Sequence, residues 1–300
     1  MPNVFVTGSS TGIGHATALA LARAGHHVIA SMRQPESAGD LAGVAGQEKL
    51  ALTIVPLDVT SDASVADAFS AAERQYGAID VLVNNAGIGQ TGAVEEVPID
   101  DFRRVMETNY FGALRCIKAV VPGMRERRRG CIINVTSVAG RLAATPQAPY
   151  AASKYALEAL SEVLAQEMRL FGVRVAIVEP GVIATPIFDK APELAPSLYP
   201  GARRMRALFA ASLTAVQVPP DVVGAKIREI VESGTLVLRH PVGPDAMPMI
   251  ARRQAMTDED WIASNAIADD DAWAQGIQGS FGFDIRPFIG RSLRGIVHTV

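Results

Sequence analysis

Short apolar runs without polar alternation recur along the chain at Asn3 to Thr7, His27 to Ser31, Leu50 to Pro56, Val81 to Asn84, Cys131 to Thr136, Val173 to Glu179 and Thr235 to Leu238. A strand that is apolar at successive positions is buried on both faces, the pattern of a parallel sheet covered by helices. Between these runs lie Ala- and Leu-rich stretches with helical period, at Ala16 to Ala24, Ser64 to Tyr76, Phe102 to Arg127, Tyr150 to Leu170 and Asp221 to Glu232. The alternation predicts an α/β fold, a Rossmann-like doubly wound parallel seven-stranded sheet flanked by helices. Right-handed crossovers bring the carboxyl ends of the strands to one edge, where such sheets bind ligands.

Two stretches break the pattern. Residues 184–219 contain five prolines and one short helical piece, Arg203 to Leu213, which suits a flap over the ligand edge. Its side chains Ile187, Phe188, Leu194, Leu198, Tyr199, Met205, Leu208 and Phe209 are mostly apolar and suit a hydrophobic substrate. After His240 come two further helical segments, Asp245 to Met256 and Asp258 to Ala268, then the acidic run Asp269-Asp270-Asp271 and a Gly- and Phe-rich tail. The expected organisation is one dinucleotide-binding and catalytic domain over residues 1–240, with the flap inside it and residues 241–300 packed on it as an extension.

Composition narrows the function classes. Three hundred residues, 49% hydrophobic and 20% charged, suit one large α/β domain. A net charge of −3 gives no electrostatic footprint for nucleic acid, and the one basic cluster, Arg125 to Arg129, reads as a helix end. Cys116 and Cys131 lack metal-ligand spacing, so no metal site is expected and both are read as reduced thiols of a cytoplasmic protein. No apolar run reaches the ~20 residues that a membrane span needs.

The chemistry starts with Thr7-Gly8-Ser9-Ser10-Thr11-Gly12-Ile13-Gly14, which follows the first strand and opens the first helix. Glycines allow a tight turn and close approach to a pyrophosphate, and the helix start offers unpaired N–H groups. Gly8, Ser10, Thr11, Gly12, Ile13 and Gly14 are therefore candidate cofactor contacts. From His15 to Pro35 there is no carboxylate to grip a ribose 2′-hydroxyl, and the second strand ends in Arg33, so NADP(H) is preferred over NAD(H). Asp58 and Val59 end the third strand where an adenine would lie; Asp58 is equally a cap for the helix starting near Ser61. Asn85, Ala86 and Gly87 close the fourth strand with small groups and an amide, suited to the centre of the cofactor. Finally, Tyr150 and Lys154 stand one helical turn apart, so an ammonium on the same face can lower the phenol's pKa.

Taken in order, the glycine turn, Asp58, Asn84 to Gly87, Asn109, Ser137, Tyr150 with Lys154, and Pro180-Gly181 followed by Thr185 resemble the short-chain dehydrogenase/reductase superfamily, from about Asn3 to Leu238. The resemblance implies a catalytic tetrad of Asn109, Ser137, Tyr150 and Lys154. It also implies cofactor contacts from Tyr150, Lys154, Pro180, Gly181, Ile183 and Thr185, and assembly into a dimer or tetramer. In the implied chemistry a hydride reaches a carbonyl carbon, Ser137 holds the oxygen, Tyr150 supplies its proton, and Asn109 holds a water behind Lys154. The expected activity is an NADP(H)-dependent carbonyl reductase or secondary-alcohol dehydrogenase acting on a small-molecule ketone or alcohol. The alternative is a non-catalytic dinucleotide-binding regulator of the same fold.

Overall fold

Strands β1 (Asn3–Thr7), β2 (His27–Met32), β3 (Leu52–Pro56), β4 (Val81–Asn84), β5 (Gly130–Val135), β6 (Val173–Pro180) and β7 (Arg239–Val242) pair in parallel in the order β3-β2-β1-β4-β5-β6-β7. Their apolar runs explain why both faces are covered. In β1, Val4 and Val6 enter one core while Phe5 between them enters the other. Cys131, Ile133 and Val135 of β5 likewise alternate with Ile132. The computed structural model describes residues 1–188 and 197–291.

Helices α1 (Gly12–Arg23) and α2 (Leu41–Gln47) share the first core with α8 (Asp221–Ser233). On the opposite face lie α3 (Asp62–Tyr76), α5 (Gly112–Arg127) and α6 (Ala148–Arg169). There Phe5, fully buried, stacks on Phe69 of α3 with ring centroids 4.2 Å apart. Burial of one such ring contributes about 1.5–3 kcal/mol. The chain winds outward from β1 to β3, then returns to β4 and winds the other way. That reversal leaves a crevice between the carboxyl ends of β1 and β4, where open α/β sheets hold their ligands.

Three expectations change. The stretch expected as one helix from Phe102 is α4 (Ile99–Met106), a π-helical turn over Glu107–Phe111, and α5. The last strand lies not at Thr235 to Leu238 but at Arg239–Val242, so the expected domain boundary at residue 240 falls inside it. The physical reason is charge: Arg239 at this register reaches the buried carboxylates Glu158 and Glu179, whereas Leu236 and Val237 stay exposed. The flap's helical piece is longer than expected, α7 (Gly201–Ala215).

Beyond β7 come α9 (Ala246–Gln254), α10 (Asp258–Asn265) and α11 (Asp270–Phe281). The acidic run is a helix start: Asp269 caps α11 by accepting the Ala272 N–H at 2.8 Å, and Asp270 and Asp271 lie in its first turn. The Phe-rich tail joins Trp273 and Ile277 of α11 in a small core against Ala207 and Ala211 of α7. Arg204 of α7, 3% exposed, bonds Asp270 at 2.6 Å and the Ile267 and Ala268 carbonyls at 2.5 and 2.7 Å. A second contact sets Trp261 of α10 and Ile250 of α9 beside Val138 and Leu142, with the Trp261 indole N–H donating to the Ala143 carbonyl at 2.8 Å.

Candidate active site

The glycine turn is shaped by backbone contacts. Gly8 has φ +69, and a Cβ there would lie 2.8 Å from the Ala86 Cα; a Cβ on Gly14 would lie 2.2 Å from the Gly8 oxygen. Only glycine fits either position. The Asn85 amide donates to the Thr7 and Gly8 carbonyls at 3.0 Å each, and the Thr7 hydroxyl oxygen accepts the Asn85 and Ala86 N–H groups, also at 3.0 Å. Asn85 and Ala86 thus clamp the turn. Thr11, at the cap of α1, makes no side-chain capping bond, and the first turn of α1 has no acidic residue. Its first N–H groups remain for an anion, flanked by Ser10 and Ile13, so the residues present fit a dinucleotide pyrophosphate.

Asn109 lies in the π-helical turn, 1% exposed. Its Oδ1 accepts the Ile88 N–H at 2.8 Å, while its Nδ2 donates to the Ile88 carbonyl and the Ser153 hydroxyl, both at 3.0 Å. Ser153 in turn donates to the Tyr150 carbonyl at 2.7 Å. Through these bonds Asn109 ties the loop after β4 to the start of α6. Gly87 lies between, where a Cβ would stand 3.3 Å from the Asn109 Oδ1 and 3.6 Å from the Lys154 Nζ.

Ser137, two residues past β5, has an extended backbone and caps a short 3-10 turn, accepting the Ala139 N–H at 3.1 Å. Its hydroxyl donates to the Pro180 carbonyl at 3.5 Å and faces the phenol of the half-buried Tyr150, whose pKa it draws down. Lys154, 4% exposed, donates to the Val135 carbonyl at 3.0 Å and stands 5.7 Å from the centre of the Tyr150 ring. Sequence spacing led to the expectation of a lowered phenol pKa. Burial instead pushes Tyr150 up, with the Ser137 hydroxyl opposing. The same burial lowers Lys154 to about 8, against the pull of the Glu158 carboxylate.

The remaining expected contacts ring the same edge. Arg33 is exposed past the end of β2, and its charge helps hold Asp58 below the usual carboxylate range, after the Thr60 hydrogen bonds that dominate. Asp58 does not cap α3; Ser61 does, accepting the Ser64 N–H at 3.2 Å, while Asp58 folds onto Thr60 at 2.7 and 2.9 Å. Val59 is buried against Gly112. Past Pro180, Gly181 bonds the Val242 carbonyl at 2.9 Å and has no room for a Cβ beside Asp245. Ile183 is buried in the first core, and Thr185, 7% exposed, would stand 3.2 Å from a Cβ on Gly12. His15 pairs with Asp40 at 3.0 Å. Among the flap residues, Phe188 meets Phe209 with ring centroids 5.1 Å apart and Met205 is buried, whereas Leu198 is 91% exposed. Leu208 packs on the small core, and Ile187 and Tyr199 are exposed; Leu194 lies outside the described residues.

A Tyr, Ser and Lys set gathered beside a phosphate-shaped glycine turn agrees with what known proteins show. The profile of the short chain dehydrogenases matches residues 2–194. The chain belongs to the short-chain dehydrogenase family. It is 34% identical over 265 residues to the oxidoreductase BOA17 of Botryotinia fuckeliana, spanning 86% of this chain and 95% of that one. Retinol dehydrogenase 8 of Homo sapiens is 41% identical over 186 residues, 61% of this chain and 59% of its own. A solved short-chain dehydrogenase from Streptomyces avermitilis superposes with a TM-score of 0.77 at 32% identity, covering 93% of this chain and 98% of that one. As a short-chain dehydrogenase the protein is an oxidoreductase that binds an NAD(P) nucleotide.

This short-chain dehydrogenase also uses residues that sequence reasoning missed. Thr7 opens the glycine motif without a contact assigned to it, and its clamping of the β4 loop depends on two strands meeting at the crevice. Behind the site, Asn84 donates to Asn134 at 2.9 Å and Asn134 to Ser161 at 2.8 Å, a buried polar chain joining β4, β5 and α6. The signal for it was faint but present: an asparagine inside each of two otherwise apolar strands. Glu158 was hidden among helix-surface charges, although it follows Lys154 by one turn.

Proposed function

We propose that the protein is an NADP(H)-dependent oxidoreductase of the CH–OH/C=O class that moves a hydride between nicotinamide and an apolar ketone or secondary alcohol, as a cytoplasmic homo-oligomer. The observation that carries this reading is the Tyr150 phenol facing Ser137, with the Lys154 ammonium 5.7 Å from its ring, at the sheet edge that holds the glycine turn.

Held by the glycine turn and the loop after β4, a nicotinamide dinucleotide would supply or accept the hydride. Tyr150 transfers the proton to or from the substrate oxygen, and the Ser137 hydroxyl holds that oxygen beside the phenol. Lys154 favours the phenolate, countering the burial that raises the phenol's pKa. Asn109, through Ile88 and Ser153, holds the loop and helix that aim these groups. Arg33, with no carboxylate from His15 to Pro35, supports recognition of a 2′-phosphate.

An apolar substrate is supported by Leu142, Met249 and Trp261 gathered near Ser137, and by the Phe188–Phe209 pair. The name of the related retinol dehydrogenase points the same way. Exposed Phe111, Tyr155 and Val163 on and beside the long helices support assembly between copies. Two buried thiols, pushed up to about 12 at Cys116 and about 11 at Cys131, suit a reducing compartment. Among the described residues no helix is long and apolar enough to cross a membrane.

The test is single-turnover NADPH oxidation across a panel of apolar ketones. Tyr150→Phe is expected to bind NADPH like wild type and to lose roughly 10²–10⁴-fold in rate. A wild-type protein that binds NADPH yet turns over no ketone or alcohol, or a Tyr150→Phe variant as fast as wild type, refutes the reading. Arg33→Ala is expected to cut the NADPH over NADH preference by on the order of tenfold to a hundredfold, as loss of one charge-assisted contact would; an unchanged Kd ratio overturns the cofactor choice.

A further inference from the structure

We propose that Glu158 is a positioning residue for the reaction: its carboxylate is the buried counter-charge that holds Lys154 as an ammonium beside Tyr150, and through Thr136 and Arg239 it ties α6 to β5 and β7. The inference rests on the hydride-transfer reading above.

A buried ammonium sheds its proton unless an opposite charge lies close. Lys154 is 4% exposed, and the hydrogen bond it donates ends on the Val135 carbonyl, a dipole and not a charge. Glu158, also 4% exposed, lies one helical turn later on the same face. Both its oxygens are fixed: Oε1 accepts the Thr136 hydroxyl at 2.6 Å and Oε2 accepts the Arg239 Nε at 3.0 Å. The 3-10 turn after Ser137 packs over the Glu158 stem and the Lys154 backbone. A Cβ on Gly140 would stand 3.0 Å from the Glu158 Cγ and 3.1 Å from the Lys154 carbonyl oxygen. Thr136 is the neighbour of Ser137, and Glu179 precedes Pro180-Gly181, so the same cluster touches the ends of β5 and β6.

The charges around the pair come from all sides. From β6, Glu179 is fully buried and accepts Arg141 at 2.9 Å, with the Arg239 Nε 3.8 Å away. From β7, Arg239 also reaches Glu162 of α6 at 2.8 Å. Tyr155 feels Glu158 and Arg141 together with Arg253 of α9. Burial pushes the Glu158 carboxyl up, opposed by the Thr136 and Arg239 bonds; with it ionised, the three carboxylates Glu158, Glu162 and Glu179 face two guanidinium groups, Arg141 and Arg239, which leaves one negative charge. The Lys154 ammonium balances it. Arg239 also draws part of the Glu158 field away from Lys154, so the effect on the lysine is that of a shared carboxylate. That calls for a shift of about one pH unit, the low end for a close opposite charge.

The test is Glu158→Gln, which keeps the volume and the acceptor for Thr136 while Arg239 retains Glu162 and Glu179. Two readouts are followed in full-length protein: the pH profile of kcat with NADPH and an apolar ketone, and the titration of Lys154 by ¹³Cε-lysine NMR, assigned with Lys154→Met. The alkaline limb of kcat and the Lys154 midpoint are both expected to move about one unit to lower pH, roughly tenfold in the protonation equilibrium. Glu158→Asp, with the carboxylate drawn back, is expected to give a smaller shift in the same direction, and it carries the test if the Gln variant does not fold. A Lys154 midpoint unmoved in the folded variant overturns the inference, even where wild-type turnover upholds the hydride-transfer reading. Wild type without turnover overturns that reading, while the NMR titration still decides whether Glu158 holds the lysine's charge.

Discussion

Arg204→Ala tests whether one buried guanidinium holds the C-terminal helices on the flap. Arg204 spends three bonds there, at 2.6 Å to Asp270, 2.5 Å to the Ile267 carbonyl and 2.7 Å to the Ala268 carbonyl, and its guanidinium carbon stands 5.5 Å from the Trp273 ring. Breaking a buried pair costs about 3–5 kcal/mol, chiefly because the abandoned charge is left in low dielectric. Asp270 escapes part of that penalty, since its side chain is 30% exposed and Arg203 still reaches it at 2.9 Å. The two carbonyls can recover water through the space the side chain leaves. The expected loss is therefore about 3 kcal/mol, the lower end of that range. For a chain of this size roughly 2 °C accompanies each kcal/mol, so Tm falls by about 6 °C. Urea unfolding and a thermal scan measure both, with Arg203→Ala as the comparison. Because Arg203 is half-exposed and bonds Asp270 alone, its variant is expected to lose about 1 kcal/mol or less. If Arg204→Ala loses no more than Arg203→Ala, burial is not what gives the pair its strength, and the account of the extension fails.

Gly14→Ala is expected to abolish tight NADPH binding measured by fluorescence titration, because the added Cβ meets the Gly8 oxygen at 2.2 Å and the Asn85 amide at 2.4 Å, one of them backbone; unaltered Kd would mean that the turn relaxes freely. Lys154→Met is expected to inactivate the enzyme yet stabilise the fold at neutral pH, where it removes the burial penalty on the ammonium. The sign follows from a lysine lowered from 10.5 to about 8: between those values the unfolded chain binds a proton that the folded one does not, so wild-type stability rises with pH across that window. The variant's advantage in urea titrations should therefore shrink between about pH 8 and 10.5, and an advantage that grows there contradicts the buried ammonium.

Local pattern alone determined the sheet, the glycine turn and the Tyr150–Lys154 pair. Each depends on residues within one element: apolar runs for doubly covered strands, glycines where the backbone must turn tightly, and a four-residue spacing on a helix. The limits are equally physical. The apolar run Leu236-Val237-Leu238 reads as a strand, but the ladder forms at Arg239–Val242 because buried carboxylates on α6 and β6 wait for a guanidinium, and those belong to distant parts of the chain. The π-helical turn at Asn109 likewise depends on Ile88 and Ser153, one on a loop and one on another helix. The spacing of Tyr150 and Lys154 says that the two meet, yet the direction of the phenol's shift follows from how deeply the fold buries it. Only the tertiary structure set that depth, and with it the burial of the Glu158 carboxylate one helical turn past the lysine, since desolvation is a property of packing and leaves no mark in local sequence.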